Sequence, residues 1–528
     1  MQRRLVPLLA VSVIASLAAP GIATATPAAP ATQAPKAGPL ASYEKQKPVW
    51  KRCDKELSAS FQCATIKVPL DYKRPTGKTL DLAISRVKTS VKGKRQGVLL
   101  FNPGGPGGAG LDMPEMMREA LPKSVRDAYD LVGFDPRGIG NSSPVTCGLT
   151  NSDMQWPRPY KEKTFAKDVS WAKGVADKCR KKQGDKLKYI TTRNTARDMD
   201  VLRIVLGEKK LNYLGYSYGT HLGAVYSQLF PTKTGRFVLD SAVDPKLAWR
   251  GMIQIWAEGA EPAFKRWASW TAQRNSTYKL GTTEAAVTKT FYDLVAQADR
   301  KPIVIEGEKI TGDDIRGGMR QLFFEVQFAA EQVVELKKAA AGKAGKRLAP
   351  QQAPERGFLK PVPVDNMDAG FWSVVCADNS AAWPRDVEQY RKDAIRDKAR
   401  YPLYGDFGSN IKPCAFWDAS VEPAIKINNS VPSLILQNEW DSQTPYAAGV
   451  GMRKALKGAK LVTVKNGVGH GIYLFGGNSC ADRLTTSYLT TGKLPAKDAT
   501  CTAPAARSGE RADAPAFPNP LPQQPNRF

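Results

Sequence analysis

Short apolar runs alternate with helix-like segments in the first half of the chain. The apolar runs lie at 64–70, 80–84, 97–101, 129–135, 211–214 and 237–240. The first two alternate in polarity like the strands of a hairpin, and residues 194–206 have the amphipathic spacing of a helix that ends at Gly207. Strands that alternate with helices predict an α/β protein with a mainly parallel sheet.

The pattern changes after Pro245. Residues 246–424 are helical in character, with amphipathic stretches at 284–298 and 314–341 and no alternating strand pattern. Apolar strand-like runs return at 433–437 and 460–464. We therefore predict a core made of residues 40–245 and 425–505, interrupted by a helical cap at 246–424 that covers the carboxyl edge of the sheet, where open α/β sheets bind ligands.

Both ends of the chain differ from this core. Residues 1–25 combine a basic start, an apolar stretch and a small-residue cleavage pattern, which is typical of a secretory signal peptide. Residues 26–39 predict a pro-segment, and the Pro-rich residues 506–528 predict a disordered tail. No later segment is long and apolar enough to predict a membrane span, so the sequence favours a secreted, extracellular protein.

The chain contains eight cysteines, and an even number in an exported protein indicates disulfides. Pairing in sequence order is the simplest hypothesis, although the sequence does not fix it: Cys53–Cys63, Cys147–Cys179, Cys376–Cys414 and Cys480–Cys501. Metal ligation is a weaker interpretation because no C-x-x-C occurs and the chain has only two histidines. We predict neither a metal nor a cofactor.

The formal net charge is +27, and +24 remains without residues 1–39, which hold three basic residues and no acidic ones. Such a charge favours adhesion to anionic surfaces such as cell-wall polymers. Nucleic-acid binding is disfavoured because the basic residues are dispersed, no recognition motif is present and the chain is predicted to be exported. The simplest interpretation is a generally basic surface on a monomer with no specific partner.

The segment Gly215-Tyr216-Ser217-Tyr218-Gly219 reads G-x-S-x-G between an apolar strand and a helix of small residues. This strand–turn–helix context is typical of a nucleophile elbow, in which small neighbours allow the serine to adopt a strained conformation. The hydroxyl of Ser217 would then stand at a helix N-terminus, which favours developing negative charge.

A serine nucleophile needs a base, and the chain offers only His221 and His470. His221 lies four residues beyond Ser217 inside the helix, so we predict a structural role for it. His470 lies in a glycine-rich loop after an apolar strand, where a base is expected. A lone loop histidine is usually only a surface residue, but the shortage of alternatives favours His470 as the base.

The acid that orients the base should lie between the serine and the histidine in the chain. Asp441 directly follows the strand at 433–437 and is the best candidate, with Glu439 as the fallback. A turn or helix-cap aspartate is the ordinary interpretation of an isolated D-x-x-T-P, but the order Ser217, Asp441, His470 reduces its weight.

The oxyanion of acyl transfer needs backbone N–H donors. Residues 102–108 form a glycine-rich loop after the strand at 97–101, and glycine lets the main chain approach a substrate. We predict the N–H groups of Tyr218 and Gly105 as donors, with Gly104 as the alternative to Gly105. A phosphate-binding loop is the rival interpretation, and it fails because no Gly-Lys-Ser/Thr follows this loop and no G-x-G-x-x-G opens a helix.

These motifs, together with Gly133-Phe134-Asp135-Pro136-Arg137-Gly138, Asp441-Ser442-Gln443-Thr444-Pro445 and Gly469-His470-Gly471, resemble the secreted tripeptidyl aminopeptidases of actinomycetes. These are α/β-hydrolase peptidases related to the proline iminopeptidases, and the resemblance covers about 43–501. It implies an α/β-hydrolase fold with a helical cap and a triad of Ser217, Asp441 and His470. Pro103 stands where the proline iminopeptidase loop usually has histidine, which favours the tripeptidyl enzymes.

The resemblance further implies an exopeptidase that releases tripeptides from free N-termini, with tetrapeptide release and a proline before the cut as further options. Such an enzyme needs a carboxylate for the substrate ammonium, and the cap offers Glu258, Glu261, Glu325 and Asp378 as candidates. Aromatic residues of the cap either line the pocket or simply pack in the core: Trp256, Phe371, Trp372 and Trp383. An esterase or lipase with the same machinery and a non-catalytic, wall-associated binding protein remain as alternatives.

Overall fold

The computed structural model describes residues 39–323, 326–346 and 360–503. The predicted signal peptide at 1–25, all but the last residue of the predicted pro-segment at 26–39, the tail at 506–528 and the candidate Glu325 lie outside these residues. No helix within the described ranges is long and apolar enough to cross a bilayer.

One ten-stranded sheet forms the centre of the part of the chain that the structure describes. Its strands lie in the spatial order β1-β2-β3-β5-β4-β6-β7-β10-β11-β12. Their bounds are β1 Lys51–Arg52, β2 Phe61–Pro69, β3 Thr79–Val87, β4 Val98–Asn102, β5 Asp130–Phe134, β6 Leu211–Tyr216, β7 Thr234–Asp240, β10 Ser433–Trp440, β11 Lys460–Val468 and β12 Ala499–Thr502. A separate antiparallel hairpin is made of β8 Ile303–Ile305 and β9 Glu308–Ile310.

The sheet is antiparallel at one end and parallel elsewhere. The strands β1, β2, β3 and β5 pair antiparallel, and every neighbouring pair from β5 through β4 to β12 is parallel. The parallel strands are nearly continuous runs of buried apolar residues because helices cover both faces, whereas β2 alternates buried and exposed positions in part of its length.

Helices join and cover the strands. Those before β8 are α1 Ala41–Glu44, α2 Met113–Ala120, α3 Lys123–Ala128, α4 Asn151–Met154, α5 Phe165–Gln183, α6 Thr192–Val205, α7 Tyr218–Leu229, α8 Arg250–Ala272, α9 Asn275–Tyr278 and α10 Glu284–Arg300. Those after β9 are α11 Gly312–Leu322, α12 Val326–Ala340, α13 Asn366–Asp378, α14 Val387–Arg400, α15 Gly405–Ser409, α16 Tyr446–Ala455 and α17 Ser479–Thr491.

The segment between β7 and β10 is helical, as its sequence pattern predicts, with one exception. The hairpin of β8 and β9 lies inside it, although the sequence shows no alternating strand pattern between 246 and 424. The hairpin strands are only three residues long, which is too short for an alternating pattern to stand out in the sequence. The bounds of the cap, 246–424, stay a prediction.

Four disulfides join the eight cysteines in sequence order. The first ties Cys53, which follows β1, to β2 at the antiparallel edge, and the last ties α17 to β12 at the opposite edge. The bridge between Cys376 and Cys414 closes a loop within the helical segment. Disulfides persist in oxidising compartments, so this arrangement fits an exported protein.

Candidate active site

The predicted site residues follow four parallel strands that end at one edge of the sheet. Ser217 follows β6, the glycine-rich loop follows β4, Asp441 follows β10 and His470 lies two residues after β11. The strand ends are in register, since Asn102 pairs with Gly215 and Trp440 pairs with Val468. The carboxyl edge of a parallel sheet is where α/β proteins place their functional loops.

Ser217 occupies a strained turn between β6 and α7. Its φ is 55° and its ψ is −122°, a conformation that non-glycine residues rarely adopt. The flanking glycines have no room for a side chain: a Cβ on Gly219 would lie 2.8 Å from Oδ1 of Asn102, and one on Gly215 would overlap the ring of Tyr213. The turn therefore presents the serine at the N-terminus of α7, where the first N–H groups lack helical partners.

His470 and Asp441 form a buried pair. Nδ1 of His470 lies 2.8 Å from Oδ2 of Asp441. The carboxylate also accepts hydrogen bonds from the N–H groups of Gln443 and Thr444, at 2.8 and 2.9 Å, and from the Thr444 hydroxyl at 2.8 Å. A carboxylate that accepts from Nδ1–H fixes the neutral ring in the tautomer whose Nε2 is the basic nitrogen.

Glu439, the fallback acid, has a different partner. Its carboxylate accepts a 2.7 Å hydrogen bond from the N–H of Asn466 in β11. The Glu439 side chain is less buried than that of Asp441. Of these two acids, Asp441 is the one whose carboxylate lies within hydrogen-bond distance of the His470 imidazole in the described part of the chain. The geometry thus favours Asp441 over Glu439 as the partner of His470.

Asp240, at the end of β7, connects the serine turn to the histidine loop. Its main-chain oxygen accepts the N–H of Ser217 at 2.9 Å. Its carboxylate accepts the N–H groups of Ile472 and Tyr473, at 3.0 and 2.7 Å. Burial raises the pKa of Asp240 to about 7, while these N–H donors lower it. In the sequence, Asp240 is only the last residue of the strand-like run 237–240.

Ser241 reinforces that connection. Its hydroxyl accepts the N–H of Gly471 at 2.8 Å and donates to Asp240 at 3.0 Å. Its backbone has a φ of 58°, so this neighbour of the site is strained as well. The three N–H groups that follow His470 in the chain therefore all donate to Asp240, the last residue of β7, or to Ser241 directly after it.

The glycine-rich loop packs directly on the serine turn. A Cβ on Gly104, whose φ is 107°, would lie 2.7 Å from the main-chain oxygen of Tyr216 and 2.9 Å from Cβ of Ser217. The N–H of Gly104 donates to the side chain of Asn102 at 3.1 Å. Because that N–H already has a partner, the arrangement favours Gly105 rather than Gly104 as the oxyanion donor beside Tyr218.

The helical segment encloses these residues. The exposed fractions of Ser217, Asp441 and His470 are only 5%, 2% and 8%. On α8, a Cβ at Gly259 would lie 3.3 Å from the main-chain oxygen of Asp441, and on α11 the Arg320 guanidinium donates to the main-chain oxygen of Ser442. Removal of water strengthens the electrostatic interactions of such a site.

Three of the four acids predicted as partners of the substrate ammonium lie within the described residues, and each differs in exposure or in hydrogen-bond partners. Glu258 is exposed, so it is not a buried carboxylate of the kind that would bind a substrate ammonium next to the serine. Glu261 accepts a 2.7 Å hydrogen bond from the N–H of Leu403, and burial raises its pKa. Asp378 accepts from Thr192 and from the indole of Trp249, and burial raises its pKa to about 6.

His221 is buried in α7 with its ring edge against Trp249, at 4.7 Å between ring centres. Burial lowers its pKa to about 4, so it is neutral at physiological pH. It lines a cleft that also contains Asp378 and Ile425, and its Nδ1 has no hydrogen-bond partner among the described residues. This environment agrees with the structural role that we predicted for His221.

The sequence resembles known peptidases along most of its length. Residues 401–501 match the model of TAP-like proteins, and residues 97–297 match the model of the alpha/beta hydrolase fold. The chain is 34% identical to a tripeptidyl aminopeptidase of Streptomyces lividans over 474 residues, which cover 86% of each chain.

The chain belongs to the tripeptidyl aminopeptidase family. It is also 30% identical to the serine protease Hip1 of Mycobacterium tuberculosis over 83% of this chain and 87% of that protein. A carboxylesterase B of Mycobacterium tuberculosis is 31% identical over 92% of this chain and 95% of that protein. As a member of the tripeptidyl aminopeptidase family, the chain is a serine peptidase of the α/β-hydrolase fold.

We predict that Gly104→Ala abolishes most activity while the protein stays folded. The new Cβ would force the loop away from Ser217, and loss of one oxyanion donor costs on the order of 10²–10³-fold in kcat. Steady-state kinetics on a peptide reporter and circular dichroism test this. Gly207→Ala is the matched control, because Gly207 also has positive φ but nothing lies within 4 Å of its Cβ position. Equal kcat values for Gly104→Ala and Gly207→Ala would contradict the assignment of the glycine-rich loop to the oxyanion site.

We also predict that His221 makes stability fall as the medium is acidified. The folded state holds the pKa of His221 at about 4. Below the ordinary histidine pKa of about 6.5, therefore, the unfolded chain binds a proton that the folded chain does not. From pH 7 to pH 5 the wild type should lose about 2 kcal/mol more unfolding free energy than His221→Gln. Urea unfolding at both pH values measures this difference, and parallel losses in the two proteins would refute it.

Proposed function

We propose that this protein is an exported serine exopeptidase that releases tripeptides from free N-termini through an acyl-enzyme. The observation that carries the proposal is the 2.8 Å contact between His470 and Asp441 at the sheet edge where the strained Ser217 also lies. Tripeptide release is supported by the similarity to the tripeptidyl aminopeptidase of Streptomyces lividans, and export by the four disulfides and the leader-like residues 1–25.

In the proposed reaction, Nε2 of His470 takes the proton of the Ser217 hydroxyl as its oxygen attacks the scissile carbonyl. Asp441 holds the ring by Nδ1 and stabilises the imidazolium that forms. The carbonyl oxygen becomes an oxyanion against the N–H groups of Tyr218 and Gly105. His470 then gives the proton to the leaving amine.

The second half of the reaction removes the acyl group from the enzyme. Water enters after the leaving peptide departs, and His470 takes a proton from it as it attacks the ester carbonyl. The tetrahedral intermediate collapses, the proton returns to the Ser217 oxygen and the released peptide carries the new carboxylate. No metal takes part in these steps, so a chelator should leave the rate unchanged.

Ester hydrolysis is the second candidate function. The similarity to a carboxylesterase B supports it, because the same triad serves esters and amides. A non-catalytic wall-binding role is supported only by the basic composition, with a net charge of +27.

The deciding experiment is a substrate panel read by mass spectrometry. It contains di-, tri- and tetrapeptide p-nitroanilides with free amines, their N-acetylated forms, short p-nitrophenyl esters and a set of longer peptides. We expect the free-amine tripeptide anilides to be cleaved fastest and N-acetylation to reduce kcat/KM strongly. Turnover of esters without peptides would favour the esterase, and turnover of nothing would favour the binding protein.

Ser217→Ala provides the control for this panel. We expect a folded protein whose kcat is lower by on the order of 10⁵–10⁶-fold, as for other triad serines. Thermal unfolding should show the wild-type transition, because the hydrogen bonds of Ser217 found among the described residues are made by its main chain, which the substitution keeps. Wild-type turnover by Ser217→Ala would show that another residue is the nucleophile.

A further inference from the structure

A cluster of four aromatic side chains packs between the helices that cover the site. Trp156 follows α4, Trp256 belongs to α8, and Phe371 and Trp372 belong to α13. The Trp156 ring centre lies 5.9 Å from that of Trp256, 5.6 Å from that of Phe371 and 5.8 Å from that of Trp372. All four side chains are buried, and we refer to them as the aromatic cluster.

The aromatic cluster is anchored on both sides of the triad. On the oxyanion side, α13 packs against the glycine-rich loop, where a Cβ on Gly107 would lie 2.7 Å from the main-chain oxygen of Met367 and 3.3 Å from the nitrogen of Phe371. On the acid side, the Arg320 guanidinium lies 4.5 Å from the ring centre of Trp256 and also donates to the main-chain oxygen of Ser442. These contacts place the aromatic cluster between the glycine-rich loop and the loop that carries Asp441.

Five buried polar atoms around this cluster have no hydrogen-bond partner among the described residues. Four are donors and one is an acceptor: Nε1 of Trp156, Nε1 of Trp372, Nε of Arg320, Nε2 of Gln443 and Oδ1 of Asp368. An unsatisfied buried polar group destabilises the folded state, and native structures contain few of them. A local concentration of such atoms indicates a place that a polar ligand fills.

Asp368 supplies the only carboxylate of this group. It lies three and four residues before Phe371 and Trp372 on α13, so it is their neighbour on the helix surface. No basic side chain acts on Asp368 among the described residues, and Asp365, three residues before it, already accepts the N–H groups of Cys147 and Leu149. Burial, with a smaller contribution from Asp365, raises the pKa of Asp368 to about 7.

The distance along the loop suits a short peptide. Gly104 contacts Ser217, and Gly107 contacts Met367, the neighbour of Asp368. The three residues from Gly104 to Gly107 span at most about 10 Å, and an extended tripeptide spans about the same length. A peptide whose third carbonyl lies at Ser217 can therefore place its N-terminus near α13.

We propose that Asp368 binds the α-ammonium group of the substrate, and that the indole, guanidinium and amide donors around the aromatic cluster bind the substrate's main-chain carbonyls. This inference rests on the proposed exopeptidase function and names its amine-binding residue. A charged amine would satisfy the carboxylate, whereas an N-acylated peptide would bury it unpaired. A carboxylate that pairs with the amine fixes the length of chain between the N-terminus and Ser217, which limits cleavage to short N-terminal peptides.

Asp368→Asn tests the inference, because it keeps the side-chain shape and removes the charge. The measurement is the ratio of kcat/KM for a free-amine tripeptide anilide to that for its N-acetylated form. Loss of a hydrogen bond between charged groups should lower this ratio by about 10–150-fold. Hydrolysis of p-nitrophenyl acetate, which has no amine, should stay at the wild-type rate.

Two controls separate recognition from structure. Asp293→Asn removes an exposed acid of α10, paired with Lys289, and should leave the ratio unchanged. Thermal unfolding of Asp368→Asn should occur at the wild-type temperature or above it, because the substitution removes an unpaired carboxylate. A lower unfolding temperature together with a proportional loss of ester hydrolysis would show that Asp368 is structural and would overturn the inference.

The two proposals fail in different ways. If wild-type enzyme prefers free amines and Asp368→Asn retains that preference, the assignment of Asp368 is wrong and the exopeptidase function stands. If wild-type enzyme hydrolyses free and N-acetylated tripeptides equally, the exopeptidase function itself is wrong, and with it the role of Asp368.

Discussion

Asp240 holds the serine turn and the histidine loop of the site in one frame. Its main-chain oxygen binds the N–H of Ser217, and its carboxylate binds the N–H groups of Ile472 and Tyr473, which follow His470. The strand that ends at Asp240 lies between β6 and β10, so the serine turn and the acid loop flank it on either side. Because buried backbone donors need partners, these hydrogen bonds also fix where the histidine loop lies.

The helical segment completes the site as well as covering it. Gly259 of α8 fits against the main chain of Asp441, and Arg320 of α11 holds the residue that follows. The glycine-rich loop meets α13 on the opposite side. These contacts keep water away from the pair of Asp441 and His470, where charges develop during acyl transfer. Sheet and helices therefore supply one continuous set of contacts around the reacting atoms.

The strand edge and its motifs are predictable from the sequence because they rest on local rules. The turn at Ser217 needs small residues on both sides, and the short supply of histidine leaves His470 as the only candidate base outside the elbow helix. The order of serine, acid and histidine along the chain then selects a short list of acids, from which the 2.8 Å contact favours Asp441.

The contacts that involve the helical segment are not predictable in this way. Asp240 and Asp368 look like ordinary strand and helix residues in the sequence, and only their neighbours far along the chain give them a role. Glu258 is a candidate for the substrate ammonium in the sequence but lies on the surface of the protein. The reason is the same, because helical periodicity predicts which residues share a face but not what that face packs against. The short strand β12 was missed because its four residues carry no distinctive pattern.

The most direct measurement is the rate at which a peptidyl phosphonate diester with a free amine labels the wild type and His470→Ala. If Ser217 and His470 act as one unit, the wild type should gain a single adduct that peptide mapping places on Ser217. Loss of the general base should slow labelling by on the order of 10²–10⁴-fold. Equal labelling rates in the two proteins, or an adduct on any other residue, would contradict the account.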